Sequence, residues 1–188
     1  MKKNLKIAVY CSSRDGLPEE YEAVARATGE WIGRNGHTLV YGGVNAGLMH
    51  TVAQATHDAG GRVVGVIPER FAHRGDAVVD EMVATHDLSD RKMKMIEMSD
   101  LFVVLPGGIG TLDEWLSTLS QIMVNGEDDR RGIVAVNMHG LYDAQAQELV
   151  QVSKSIFARG KHIDMTAIAD NTEQLIEYLT KYQENYEK

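Results

Sequence analysis

A lone cysteine, Cys11, leaves the chain without an internal disulfide, and no spacing of Cys with His makes a zinc ligand set. Seven histidines are present, but none forms an H-x-x-x-H pair, so no metal is expected. Proline is scarce, with 3 in 188 residues, and neither a repeat nor a low-complexity tract occurs; at 44% hydrophobic and 24% charged the composition is that of an ordinary folded protein. Positive charge is in deficit. The 19 Lys and Arg against 27 Asp and Glu give a formal net charge of −8, which argues against general binding to nucleic acid or an acidic membrane but leaves room for a local basic pocket. Long apolar runs are missing too: after MKKN the run in LKIAVY is too short for a signal h-region or a membrane span. It reads as a first strand, and the expected location is cytoplasmic.

Short runs rich in Val and Ile recur instead, at 5–10, 37–43, 62–68, 100–106, 132–137 and 164–170, each continuous enough for a strand covered on both faces. Between and after them, 18–35, 46–60, 88–98, 111–125, 141–159 and 171–186 are long enough for helices. Pro18, Asp87 or Ser89, Thr111 and Asn171 are plausible starts, and Gly36, Gly60 and Gly160 plausible stops. Strict alternation predicts a single α/β domain over 1–188, a Rossmann-like, doubly wound and mostly parallel sheet with its ligand beyond the carboxyl ends of the strands. The stretch 69–87 has no clear element apart from a short extra strand near 82–85, and a loop of that length is often a lid or a contact surface. The charge run GEDDRRG at 126–132 reads as a solvated turn.

Two strand ends carry bare backbone. After the fourth main strand, LPGGIGTLDEW places Gly107, Gly108 and Gly110 ahead of Thr111. Unpaired amides at a helix mouth, together with the positive end of the helix dipole, make an anion seat suited to phosphate. The same stretch also fits a T-x-x-E capping box, in which Glu114 bonds back to the start of the helix and Asp113 is a solvated first-turn acid. Both readings stay open. After the second strand, YGGVNAGLMH supplies Gly42, Gly43 and Gly47 at a second mouth, which together with the first suggests a nucleotide lying across the sheet edge. Neither a P-loop nor G-x-G-x-x-G is present.

Arg91 and Lys92 fall in the first turns of a helix, where the dipole disfavours cations, so an anionic partner is expected: a ligand, or Asp87 and Asp90 within the chain. Met93, Met95 and Met98 read as core filler. Cys11 lacks an activating base and reads as packing. Ser12, Ser13 and Arg14 follow the first strand as a turn that also suits ligand contact.

Taken together, these segments resemble the Lonely Guy (LOG) family of cytokinin riboside 5'-monophosphate phosphoribohydrolases, often mislabelled lysine decarboxylases. The family pattern P-G-G-x-G-T-x-x-E falls on Pro106, Gly107, Gly108, Gly110, Thr111 and Glu114, and its R-K on Arg91 and Lys92. The likeness continues through VYCSS, VYGGVNAGLM, GVIPER and GLYD. The chain departs from the pattern at Val44 and His50, where the family commonly has glycine, and at Leu88-Ser89, where it has Met-His. The resemblance implies a Rossmann-like fold and a homodimer whose helices help build the site. It also implies hydrolysis of the N-glycosidic bond of an N6-substituted adenosine 5'-monophosphate, giving free base and ribose 5-phosphate without a cofactor. Glu114 and Arg91 would be catalytic. Gly42, Gly43, Gly47, Lys92, Gly107, Gly108, Gly110 and Thr111 would bind substrate. A first-turn Glu114 would be held ionised by the dipole, suiting a base or electrostatic role. A nucleotide-binding module without catalysis and a broader nucleotide nucleosidase are the competing readings; a pyridoxal enzyme is disfavoured, since the sequence supplies no recognisable site for that cofactor.

Overall fold

The computed structural model describes residues 4–126, 129, 131–156 and 166–186. Among these residues seven strands form one sheet: β1 (Lys6–Tyr10), β2 (Thr38–Tyr41), β3 (Arg62–Pro68), β4 (Glu81–Thr85), β5 (Leu101–Val104), β6 (Gly132–Val136) and β7 (Thr166–Ala169). The order is β4-β3-β2-β1-β5-β6-β7, and every pairing is parallel. The short strand expected near 82–85 is β4, and it closes one edge of the sheet.

Alternation of side chains builds two cores, one on each face. On β1, Ile7 and Val9 point to one face while Ala8 and Tyr10 point to the other; on β5, Leu101 and Val103 oppose Phe102 and Val104. The first face is covered by α1 (Glu19–Arg34), α2 (Gly47–Asp58) and α6 (Thr172–Tyr186) through residues such as Ile32, Val52 and Leu175. The second is covered by α3 (Leu88–Glu97) and α4 (Ile109–Asn125), with Tyr142 just before α5 (Asp143–Ser153); Met95, Trp115 and Ile122 fill it. Met95 of α3 is buried and Met98, at its C-cap, packs partly buried against the same core, as expected, whereas Met93 is exposed.

Helix starts follow local chemistry. Asp87 caps α3 by accepting from the amides of Ser89 and Asp90, and Asn171 accepts from the amide of Gln174 at the head of α6. The expected stop at Gly160 and the end of the fifth helix lie outside the described residues, as do parts of 126–132 and the first residues of the last expected strand.

The long stretch before β4 is no free lid. It forms a 3-10 turn at Glu69–Arg74 and is then bonded onto the loop after β2: the Asn45 amide donates to the Arg74 carbonyl at 3.0 Å and the Asp76 amide to the Gly43 carbonyl at 3.0 Å. Buried Asp76 also contacts His50 Nδ1 at 2.9 Å, so the His50 departure ties α2 to this segment.

The chain winds outward from β1 to β4 on one side, then returns to start β5 against β1 on the other. That reversal puts the crevice between the carboxyl ends of β1 and β5, where open α/β sheets hold their ligands. Among the described residues no helix is long and apolar enough to cross a membrane.

Candidate active site

A cavity of about 400 Å³ opens at this crevice. Cys11, Ser12, Ser13 and Arg14 line it from the end of β1, Gly108, Gly110, Thr111, Asp113 and Glu114 from the head of α4, and Met49, Leu88, Arg91 and Lys92 from α2 and α3.

The glycine mouth differs in detail from the sequence expectation. The N-cap of α4 is Gly108, not Thr111, and among the described residues no side chain caps the helix. Helical structure starts two residues early, so Thr111 is the third helical residue and Glu114 the sixth. The capping box is therefore not formed: Glu114 faces inward, 5% exposed, instead of turning back to the helix start. Thr111 folds over Gly107, where a Cβ would overlap its hydroxyl, so Gly107 is fixed by packing. Gly108 and Gly110 differ, since an added Cβ at either would meet nothing within 4 Å. Their backbone lies open to the cavity, and the amides from Gly108 to Thr111 lack intrahelical partners. Dipole, amides and space coincide there, the elements of an anion seat.

Inside that mouth, Glu114 forms an ion pair with Arg91 from α3. Both side chains are nearly sealed, at 6% and 12% exposure. Burial raises the carboxyl above the usual glutamate range, and the Arg91 guanidinium opposes that rise. The expectation that helix position holds Glu114 ionised is thus replaced: the residue is not in the first turn, and Arg91 favours the ionised form. Arg91 Nε is buried without a hydrogen-bond partner among the described residues, a donor left over at the cavity wall. Asp113 is exposed, as expected of a solvated acid, but it is not in the first turn; its carboxylate takes the Lys92 ammonium at 2.7 Å, with Ser117 Oγ also within 3.2 Å of that ammonium. The anionic partners of Arg91 and Lys92 thus come from α4, while Asp87 caps α3 and Asp90 accepts the His86 amide.

The second glycine mouth plays a supporting part. Gly42 lies beneath Arg91, where a Cβ would stand 3.2 Å from a guanidinium nitrogen and 3.1 Å from Met49. Gly43, with φ +71°, passes close to β3, and Gly47, with φ +51°, gives its amide to Asp15 at 2.8 Å. None of the three lines the cavity. Cys11 does line it, but burial pushes its thiol far up, away from nucleophilic use. Tyr10 meets Thr118 at 2.9 Å, and Thr118 in turn donates to the Glu114 carbonyl, bracing α4 from the sheet.

Comparison with known proteins follows the same lines. The family described as "Possible lysine decarboxylase" matches residues 49–179, more than half of the chain. A probable cytokinin riboside 5'-monophosphate phosphoribohydrolase of Oryza sativa subsp. japonica is 32% identical over 97% of this chain and 75% of its own length. The chain belongs to the Lonely Guy family. A member of that family from Mycobacterium marinum, named cytokinin riboside 5'-monophosphate phosphoribohydrolase, is 32% identical over 91% of each chain. Among solved structures, the molybdenum cofactor binding protein of Rippkaea orientalis overlays with a TM-score of 0.73, covering 97% of this chain and 99% of that one at 22% identity. That likeness shows the LOG fold alone.

Proposed function

We propose that the chain hydrolyses the N-glycosidic bond of an N6-substituted adenosine 5'-monophosphate, releasing the free base and ribose 5-phosphate. One observation carries the reading: a buried carboxylate, Glu114, held by Arg91 just inside a helix mouth of open amides. The activity borne in the names of the family relatives supports it.

In this reading the 5'-phosphate sits on the amides of Gly108 to Thr111, with the Thr111 hydroxyl beside them, and the ribose lies over Glu114. Gly107, Gly42, Gly43 and Gly47 serve by letting the backbone and Arg91 come close. As the C1'–N bond breaks, its electron pair leaves with the base and the sugar turns cationic; the Glu114 carboxylate faces that charge and takes a proton from the attacking water. The raised basicity that burial gives Glu114 suits a proton acceptor. Arg91 steadies the electron-rich leaving base, and Lys92 holds Asp113 clear of the phosphate. No cofactor or metal enters the scheme.

The protein would act in the cytoplasm as a homodimer. Exposed Leu88, Met93, Ile109 and Leu116 lie on α3 and α4, the helices that carry Arg91 and Glu114, and would supply an apolar face for a second copy. A panel of AMP, an N6-isopentenyl-AMP and pyrimidine monophosphates, followed by chromatography for free base, tests the activity. Base release from the N6-substituted nucleotide is expected. Binding without release would favour a non-catalytic module, and equal release from all would favour a broad nucleosidase.

A further inference from the structure

Charges in the cavity pair off with one exception. Arg91 is matched by Glu114 and Lys92 by Asp113, whereas Arg14 has no carboxylate partner among the described residues. It is exposed, and it lines the cavity together with the open amide mouth at Gly108. A second, more apolar hollow of about 310 Å³ adjoins there, and Arg14, Ser12 and Gly108 line both, which places Arg14 at the border where the mouth is reached.

The backbone of Arg14 is held in place. Its amide donates to Ser12 Oγ at 3.1 Å, and the Ser12 amide donates to the Pro106 carbonyl at 3.2 Å, tying the turn to the glycine loop. On the other side, the Gly47 backbone presses so close that any Cβ would overlap Arg14, and the neighbouring Asp15 carboxylate accepts the Gly47 amide at 2.8 Å. Asp15 is thereby engaged at the positive end of α2. A guanidinium without a carboxylate partner, carried on a backbone held at the rim of the same cavity as the Gly108 mouth, has the chemistry to take a phosphate dianion.

We infer that Arg14 is the side chain that grips the substrate's 5'-phosphate, with Asp15 and Gly47 as the clamp that positions it. This rests on the proposed nucleotide reaction and adds the residue that makes the enzyme prefer a nucleotide to its nucleoside.

Steady-state kinetics of Arg14→Ala tests it. KM for the nucleotide and the inhibition constant of inorganic phosphate should both rise about 10- to 100-fold, the loss of a charge-assisted contact, with kcat changed far less. The preference for nucleotide over nucleoside should fall by the same factor, and Arg14→Lys should restore part of it. Asp15→Ala should raise KM in the same sense, with rescue by Asp15→Asn, which keeps an acceptor for Gly47. Calorimetry of inorganic phosphate against Glu114→Gln, with and without Arg14→Ala, reads the contact without turnover. Phosphate binding lost with Arg14, in a protein whose wild type releases no base, would uphold the grip and sink the reaction. Unchanged KM and unchanged phosphate binding in Arg14→Ala would overturn the proposal.

Discussion

Replacing Arg91 by Met keeps bulk beside Glu114 but removes the charge that offsets its burial. With the side chains only 12% and 6% exposed, solvent screening offers little relief, so losing one partner of this pair should cost about 3–5 kcal/mol at neutral pH. For a chain of this size that is a fall in melting temperature of roughly 6–20 °C. The pH dependence carries the sharper signature. Without Arg91, burial acts on the carboxyl unopposed and lifts it further above its unfolded value, so the native state binds the proton more tightly than the unfolded state. Stability of Arg91→Met should therefore rise as pH is lowered from 8 towards 5. Removing both charges, in Arg91→Met with Glu114→Leu, should be less damaging than Arg91→Met alone, because no charge is stranded. Denaturant unfolding of wild type, both single variants and the double variant at several pH values supplies the whole cycle. Strict additivity, or an Arg91→Met variant whose stability ignores pH over this range, would refute a buried, coupled pair.

Glu114→Gln should keep the fold and lower kcat for base release by about 10²- to 10⁴-fold, read by chromatography of the free base. Gly29 lies so close to the Val52 carbonyl of α2 that Gly29→Ala should force α1 off α2 and destabilise by about 1–3 kcal/mol in thermal melts. Arg131 donates to the carbonyls of Ile96 at 2.6 Å and Ser99 at 3.2 Å at the end of α3 and, with its hydrogen bonds to Asp129, holds that carboxyl down at about 2. Stability from this contact is present above the unfolded aspartate value and is lost as pH falls from about 4 to 2, so Arg131→Ala should flatten the acid limb of the unfolding curve there. A pyridoxal decarboxylase would show cofactor absorbance in the purified protein; no such band is expected.

The sheet was legible because continuous Val and Ile runs separated by helix-length segments admit little else, and even the edge strand β4 left a trace near 82–85. The strand ends followed, since Gly107 to Gly110 stand beyond β5 whichever way the helix begins. The helix start itself was not legible. T-x-x-E fits a capping box by spacing, but Thr111 is needed over Gly107, so the helix opens at Ile109 and carries Glu114 inward. The resemblance puts Arg91 and Glu114 in one site, but their ion pair was not legible from spacing, because Arg91 is 23 positions away on another helix and only the fold brings them together. Gly42 and Gly47 stand out in the sequence as bare backbone, yet the use of that bareness is to admit Arg91 and the Arg14 backbone, which spacing alone cannot reveal.

The most direct measurement is a crystal structure of Glu114→Gln soaked with an N6-substituted adenosine 5'-monophosphate, which the variant should hold uncleaved. The phosphate is expected within hydrogen-bond reach of the Gly108 to Thr111 amides, with the ribose C1' facing the side chain at 114. A nucleotide bound elsewhere, or bound here with its ribose turned away from position 114, would contradict the account.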